Sequence, residues 1–278
     1  MNDLPEAPAP LPSPVIDSHC HLDMRDGHEG HDIDSALTAA AAVGVDRFVQ
    51  VGCDVSGARW SVEAARRFDV VVATVALHPN EAPRLAAEGG IGAFDVAMSA
   101  IEELAADPSV VAVGETGLDF FRTGDEGREV QEESFRRHIR LAGRLGKPVV
   151  VHDRDAHAEV LRVLDDEPSQ SGVVLHCFSG DADFAREAVA RGWYCSFAGT
   201  VTFKNAQPIR DALAVVPDHL VLVETDAPFL TPSPHRGRPN SPYLIPLTVR
   251  VMAEVRDQSV DDLCRALRAN TFRAFGEW

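Results

Sequence analysis

Two histidines separated by a single residue follow the first apolar run of the chain. His19 and His21 flank Cys20 in the stretch VIDSHCHLD. In a β-strand, residues i and i+2 point to the same face, so the two imidazoles would project side by side and Cys20 would point away. Neutral imidazole is a common metal ligand, and the pair therefore suggests metal binding. Two separately hydrogen-bonded histidines would give the same short motif.

Other ionisable residues stand at the ends of later apolar runs. They are His78, Glu115, His152, His176 and Asp226. If the runs are parallel strands of a barrel, their carboxyl ends meet at one rim, where barrel enzymes build their active sites. A cluster of buried polar groups is costly without a shared partner, and one or two divalent cations would be that partner. Nitrogen and oxygen ligands without a thiolate are compatible with Zn, Mn or Mg.

Such a donor set predicts hydrolysis by a metal-activated water. Two ions a few ångströms apart can activate a bridging water and stabilise the oxygens of an in-line displacement. Glu115 is the natural bridging carboxylate, and Asp226 could bind a metal and accept the proton of the attacking water. Taken singly, each residue has a structural alternative. A histidine can be a hydrogen-bonded rim residue, and a carboxylate can cap the next helix.

Short β-branched runs alternate with Ala-, Leu- and Arg-rich segments of helical period along the chain. The predicted strands cover 15–17, 47–52, 70–77, 110–115, 148–152, 172–177, 193–199 and 220–225. Eight strand–helix units in about 250 residues predict a (β/α)8 TIM barrel, with the metal site at the carboxyl ends of its strands. An open doubly wound sheet is the alternative, but no GxGxxG follows the first strand.

Composition limits the possible partners and compartment. The chain has 278 residues, a net charge of −17 and five cysteines without CxxC spacing. The charge argues against a broad basic surface for nucleic acid, and the cysteines favour a reducing cytoplasm. Residues 1–14 are predicted to be a flexible proline-rich extension without signal-peptide features, and residues 15–278 a single barrel domain. No apolar stretch is long enough to cross a bilayer, and no obligate protein partner is evident.

The motifs DSHCHLD, LHPNEAP, GETGLDFF, HDRDAH, LHCFSG, SFAGTVTFKNA, ETDAPFLTP and RGRPNSPYLIP, in this order, resemble the TatD family of metal-dependent deoxyribonucleases. The resemblance runs from about residue 15 to the C-terminus and places the chain among the amidohydrolase-like metal barrels. It implies six metal ligands. They are His19, His21, Glu115, His152, His176 and Asp226. It also implies that His78 lines the site, and that the protein hydrolyses phosphodiesters of DNA from a 3′ end with divalent metal.

Substrate contacts are predicted from basic residues near the same rim. Arg154, two residues after His152, is the first candidate, and Lys204 follows. Asn205 and Arg236 or Arg238 are further candidates, each with a solvated surface role as its alternative. His28 and His31, in a charged loop, are predicted to be surface residues. The chain departs from the family pattern at Asp153, which adds a negative charge near an anion site, and at the pair Phe120–Phe121, where a Tyr is common.

Other functions remain open. A different metal hydrolase could cut an amide or a lactone, but many such barrels use a modified lysine at the end of strand four, where this chain has Glu115. Some family members are linked to other esterase work, including on aminoacyl-tRNA, so an esterase on such a substrate is the alternative function. A non-catalytic binding protein on a barrel scaffold is disfavoured by the intact ligand set.

Overall fold

The computed structural model describes residues 4–24, 33–167 and 171–278. The described strands are β1 (Val15–Cys20), β2 (Val45–Gly52), β3 (Val71–Val75), β4 (Val110–Asp119), β5 (Val149–Arg154), β6 (Val173–Leu175), β7 (Tyr194–Phe197) and β8 (Val221–Val223). The described α-helices are α1 (Ile33–Ala41), α2 (Val55–Arg67), α3 (Glu81–Ala105), α4 (Asp125–Leu145), α5 (His157–Asp166), α6 (Ala182–Ala190), α7 (Gln207–Val215), α8 (Ile245–Val255) and α9 (Val260–Phe275). Short 3-10 helices cover Gly199–Thr202, Asp218–Leu220 and Pro242–Leu244.

The strands form one eight-stranded sheet whose order, β1 to β8, follows the chain. Parallel pairing joins β3 to β4, β4 to β5, β5 to β6 and β7 to β8. The first and last strands, β1 and β8, contact each other. This is the (β/α)8 barrel predicted from the sequence. A doubly wound sheet would reverse its strand order near the middle, and the consecutive order excludes it.

The chain divides into two compact units. The first contains Met1–Val49 and Cys177–Glu277, and the second contains Gln50–His176 with Trp278. In the first unit α9 packs against β1 and β8, and in the second α4 packs against β4. The strand residues are almost all buried, as expected for parallel strands covered on both faces. The apolar runs of the sequence therefore become strands because they can bury both faces.

The proline-rich segment before β1 makes specific contacts within the first unit. Residues 4–14 have no helix or strand. The Tyr243 hydroxyl donates to the carbonyl of Pro5 at 2.7 Å, and Arg250 donates to the carbonyl of Ala9 at 2.7 Å. Leu11 is buried, and its N–H donates to the carbonyl of Val43 at 3.0 Å. These bonds hold the segment along α8 and the end of α1.

Strand β4 is longer than predicted, and its pairing with β5 is irregular around Glu115. The sequence predicts its end at Glu115, whereas the strand continues to Asp119. The register with β5 shifts between Val113 and Thr116, and Gly117 then pairs with His152. Gly117 has φ +138°, and a Cβ on it would lie 2.0 Å from the carbonyl oxygen of His152. Only glycine fits so close to the neighbouring backbone. The residues around it are polar, so the apolar pattern used to predict strands ends before this part of β4.

Candidate metal centres

The first unit brings three of the predicted ligands together, and we call them the His19 cluster: His19, His21 and Asp226. The two Nε2 atoms of His19 and His21 are 3.3 Å apart. Oδ1 of Asp226 lies 3.7 Å from Nε2 of His19 and 3.3 Å from Nε2 of His21. Cys20 points away, as alternation predicts, with its thiol 3.6 Å from the carbonyl of Val49. One carboxylate oxygen and two imidazole nitrogens thus converge on one small volume.

Backbone and side-chain bonds hold the His19 cluster in place. Asp226 has φ +54°, a left-handed conformation that aspartate tolerates, and its N–H donates to the carbonyl of His19 at 2.9 Å. Asp17, fully buried on β1, accepts from the N–H of Thr225 at 2.9 Å and from the Thr225 hydroxyl at 2.5 Å. Burial raises the pKa of Asp17 to about 7, against the lowering effect of these bonds. Asp17 therefore ties the loop after β8 to β1.

The second unit gathers the other predicted ligands and His78 around one carboxylate. We call this set the Glu115 cluster: His78, Glu115, His152 and His176. Oε1 of Glu115 lies 2.6 Å from Nδ1 of His152, 2.8 Å from Nε2 of His176 and 3.5 Å from Nε2 of His78. Glu115 and His176 are buried, and His78 and His152 are half-buried. Three imidazoles thus face a single carboxylate oxygen.

The charge balance of the Glu115 cluster favours an ionised carboxylate. Burial alone would raise the pKa of Glu115, but attraction to His176 and His78 and hydrogen bonds from His152 and His176 hold it well below its usual range. Burial disfavours a charged His152, yet the carboxylates of Asp119 and Glu115 raise its pKa. A buried carboxylate surrounded by imidazoles can bind a divalent cation, which would take the place of the protons shared between these groups.

The supporting residues of the Glu115 cluster include several that the sequence analysis did not single out. Oδ2 of Asp119 lies 3.4 Å from Nε2 of His152 and accepts from the Asn80 amide at 3.1 Å. The thiol of Cys53 lies 3.7 Å from Oε2 of Glu115. Asp119 could have been predicted as a site residue, because it is a carboxylate at the carboxyl end of β4. For Cys53 the sequence offers only its position just after β2.

His138 on α4 fixes the loop that carries His78. Its Nε2 accepts from the N–H of Leu77 at 3.1 Å, and its Nδ1 lies 2.7 Å from the carbonyl of Ser134. Since Nε2 is the acceptor, Nδ1 carries the proton and donates it to Ser134. Burial lowers the pKa of His138 to about 4. Neutral His138 therefore holds the backbone of Leu77, the residue that precedes His78.

The predicted substrate contacts fall in different places. The guanidinium carbon of Arg154 lies 3.9 Å from the centroid of the Phe121 ring, and Arg154 directly follows the part of β5 that carries His152. In the first unit, Lys204 and Asn205 are exposed, and Arg236 stacks over Phe203 at 4.5 Å. His28 and His31 lie outside the described residues.

The added charge of Asp153 is engaged locally. Its Oδ2 lies 2.7 Å from Nδ1 of His157, and its Oδ1 accepts from the N–H of Ala156 at 3.3 Å, just before α5 begins. The departure from the family pattern is thus accompanied by a partner histidine four residues later. Cys177 is half-buried, and its N–H donates to the Glu224 carboxylate at 2.8 Å.

A (β/α)8 barrel whose strands gather histidines and carboxylates is a scaffold for metal-dependent hydrolysis. Comparison with known proteins identifies the family. The profile of the TatD related DNases matches residues 16–276. A metal-dependent hydrolase TatD of Mycobacterium tuberculosis, itself named uncharacterized, is 43% identical over 266 residues, covering 94% of this chain and 98% of the relative. The chain belongs to the TatD family of metal-dependent hydrolases.

Two further relatives differ in what their names state. A protein of Cronobacter turicensis named 3′-5′ ssDNA/RNA exonuclease TatD is 35% identical over 261 residues, covering 91% of this chain and 95% of its own length. The crystal structure of the TatD homologue YjjV of Escherichia coli K12 superposes with a TM-score of 0.85 at 29% identity, covering 95% of this chain and 98% of YjjV. The fold and family resemblance inferred from the motifs are therefore confirmed.

Proposed function

We propose that this protein hydrolyses phosphodiester bonds of DNA, removing nucleotides from the 3′ end of single strands with one or two divalent cations. The observation that carries the proposal is the donor chemistry of the two clusters. In the Glu115 cluster three imidazoles face one ionised carboxylate, and in the His19 cluster three ligand atoms lie within 4.8 Å of one another. The family description and the exonuclease name of the Cronobacter relative support DNA as the substrate.

The residues that would hold the cations are those predicted from the resemblance. His19, His21 and Asp226 would hold one ion, and Glu115, His152 and His176 would hold another. A bound divalent cation supplies Lewis acidity, which polarises a phosphoryl oxygen and lowers the pKa of water. Imidazole and carboxylate ligands fit Mg, Mn or Zn.

The remaining chemistry is assigned to side chains of this chain. Asp226 is the proton acceptor for the attacking water, since its carboxylate is 13% exposed while the two histidines beside it are almost fully buried. Nδ1 of His78 accepts from the N–H of Asn80 at 3.2 Å, which leaves the proton on Nε2. That proton points toward Oε1 of Glu115, 3.5 Å away, so His78 lines the proposed site and supports its carboxylate. Arg154 and Lys204 are the cationic residues assigned to neighbouring phosphates.

The direct test is digestion of a 5′-labelled single strand by protein stripped of metal with a chelator and then supplied with Mg, Mn or Zn. We expect a ladder that shortens from the 3′ end only when metal is restored. A 5′-phosphorylated duplex and an RNA strand of the same sequence measure the preference. Glu115→Gln protein, purified in parallel, controls for contaminating nucleases and should leave the strand intact.

An aminoacyl-tRNA assayed under the same conditions separates the alternative function. Release of amino acid from this substrate with the DNA strand left intact would replace the nuclease proposal with the esterase. Metal-independent digestion, or digestion that survives Glu115→Gln, would refute the proposed site.

A further inference from the structure

The loop after β4 carries an aromatic side chain that the fold leaves in solvent. Phe121 is 62% exposed. The exposed large apolar side chains of the described residues are Ile91, Val96, Phe121 and Phe229. Ile91 and Val96 lie on the helical surface of α3, whereas Phe121 stands in a loop. Packing does not account for a phenyl ring in that position.

The ring of Phe121 is held by an arginine rather than by apolar neighbours. The guanidinium carbon of Arg154 lies 3.9 Å from its centroid, a cation–π contact that fixes the ring plane. The neighbouring Phe120 is half-buried, and its ring stacks with a different arginine, Arg128 of α4, at 4.1 Å. Its N–H donates to the carbonyl of Arg154 at 2.9 Å, and this bond anchors the loop to β5. Phe121 is thus oriented by Arg154 and open to solvent.

This pair is attached to the same two strands that carry the Glu115 cluster. Asp119 at the end of β4 pairs in register with Arg154 at the end of β5. Phe121 follows Asp119 by two residues, and Asp119 lies 3.4 Å from Nε2 of His152. A group that rests on Phe121 would therefore lie beside the candidate metal ligands of this unit.

The positive charge around Phe121 is not neutralised by carboxylates. Many arginines of the described residues form ion pairs, as Arg84 does with Glu81 and Glu88. Within the described ranges, neither Arg122 nor Arg154 has an ion-pair partner. Arg122 is exposed, adjoins Phe121 in sequence, and lines an open cleft of about 650 Å³ with Asn80 and Thr123. In a chain of net charge −17, two such arginines beside an open ring indicate an anionic, aromatic ligand.

We infer that Phe121 and Arg154 form a stacking platform for one nucleobase of a single strand, with Arg122 contacting an adjacent phosphate. The inference rests on the proposed function, because it assigns a specificity element to that same site. Every base offers a flat face, so an aromatic platform binds single strands with little sequence preference. A duplex hides these faces, and the platform therefore selects strands whose terminal bases are unpaired.

The test compares two single strands that differ only in their bases. One is an ordinary oligonucleotide, and the other has abasic tetrahydrofuran residues at its last three positions. We expect Phe121→Ala to lower kcat/KM about 5- to 150-fold on the ordinary strand, the range expected for loss of one stacked base. On the abasic strand the same substitution should cost less than about twofold. Phe121→Trp should restore the rate, whereas Phe121→Leu should not. Ile91→Ala is the matched control for an exposed apolar residue.

A binding measurement distinguishes failure of the platform from failure of the proposed function. A phosphorothioate strand with a 3′-terminal 2-aminopurine should lose fluorescence on binding wild-type protein, and less on binding Phe121→Ala. If the wild type hydrolyses neither strand but this difference persists, the nuclease proposal fails and the platform stands. If the wild type hydrolyses both strands and Phe121→Ala matches it on each, the platform is overturned and the nuclease proposal stands.

Discussion

At the scale of single residues, Glu115 is the centre of the metal site proposed for the second unit. Its carboxylate faces His78, His152 and His176 within 3.5 Å. Replacing it with Gln removes the negative charge and one of the two carboxylate oxygens while keeping the shape. Substitution of residues that merely support metal ligands already costs 10- to 100-fold in many sites, so we expect Glu115→Gln to lower activity by more than about 100-fold.

The measurement is the initial rate of strand digestion at saturating metal, together with metal content and the thermal melting curve. Glu103→Gln removes the same charge from an exposed position of α3 and serves as the control. A normal rate in Glu115→Gln would show that the cluster is not the reactive site.

His138 gives a second prediction at this scale, one that concerns stability. Burial lowers its pKa to about 4, whereas an unfolded chain binds the proton near pH 6.5. Between these values only the unfolded state takes up the proton, so the folded state loses stability as the pH falls from 6.5 to 4. This loss reaches about 3 kcal/mol at its lower end, since each pKa unit corresponds to about 1.4 kcal/mol.

His138→Gln removes this titration and keeps an acceptor for the N–H of Leu77. We expect urea unfolding of the variant to show a smaller loss of stability between pH 6.5 and 4 than the wild type. Asp and Glu groups titrate equally in both proteins, so the difference between the two curves isolates His138. Parallel curves would mean that His138 has the same pKa in the folded and unfolded states.

At the scale of elements, the close pairing of β4 with β5 decides whether the Glu115 cluster forms. Gly117 sits opposite His152 with φ +138°, and a Cβ would meet the carbonyl oxygen of His152 at 2.0 Å. Gly117→Ala must therefore move one strand or adopt a strained backbone, and strain of this kind costs about 1 to 3 kcal/mol. We expect a loss of at least about 2 kcal/mol in unfolding free energy, together with a weaker affinity for metal.

Gly143→Ala is the matched control for this substitution. Gly143 lies inside α4, and a Cβ there meets nothing within 4 Å. Replacing a helical glycine with alanine stabilises a protein by about 0.5 to 1 kcal/mol, so the two variants should shift the urea midpoint in opposite directions. A Gly117→Ala protein as stable as the wild type would show that β4 tolerates a side chain at this point.

The same strand shows what the sequence could and could not predict. Apolar β-branched runs located all eight strands, because buried parallel strands need such residues on both faces. The end of β4 was placed too early, since GETGLD is polar or glycine-rich and does not continue the apolar pattern. Alternation correctly paired His19 with His21, but Asp119 and Cys53 were missed because their contacts depend on strand register. The exposure of Phe121 depends on the path of the loop after β4, which cannot be predicted from the local sequence pattern.

At the scale of the whole molecule, none of the described helices is both long and apolar enough to span a bilayer. The more informative property is charge. The chain carries 43 acidic and 26 basic side chains, and many of its arginines are committed to carboxylates on helix surfaces, such as Arg136 with Glu132 and Asp166. Long-range attraction to a polyanion is therefore absent, and the proposed nucleic-acid substrate would have to be held by local contacts.

This balance predicts a weak dependence of binding on salt. Each phosphate neutralised on a single strand contributes about 0.7 to the slope of log affinity against log salt. If Arg122, Arg154 and Lys204 are the main contacts, the slope is about 2.1, and Arg154→Ala lowers it by about 0.7 without changing metal content. The experiment titrates a phosphorothioate single strand over a salt series at constant metal. Arg59→Ala, which removes an exposed charge from α2, should leave the slope unchanged. A slope several times steeper would place the strand along an extended basic surface, which the composition of this chain does not provide, and would move the substrate away from Phe121 and Arg154.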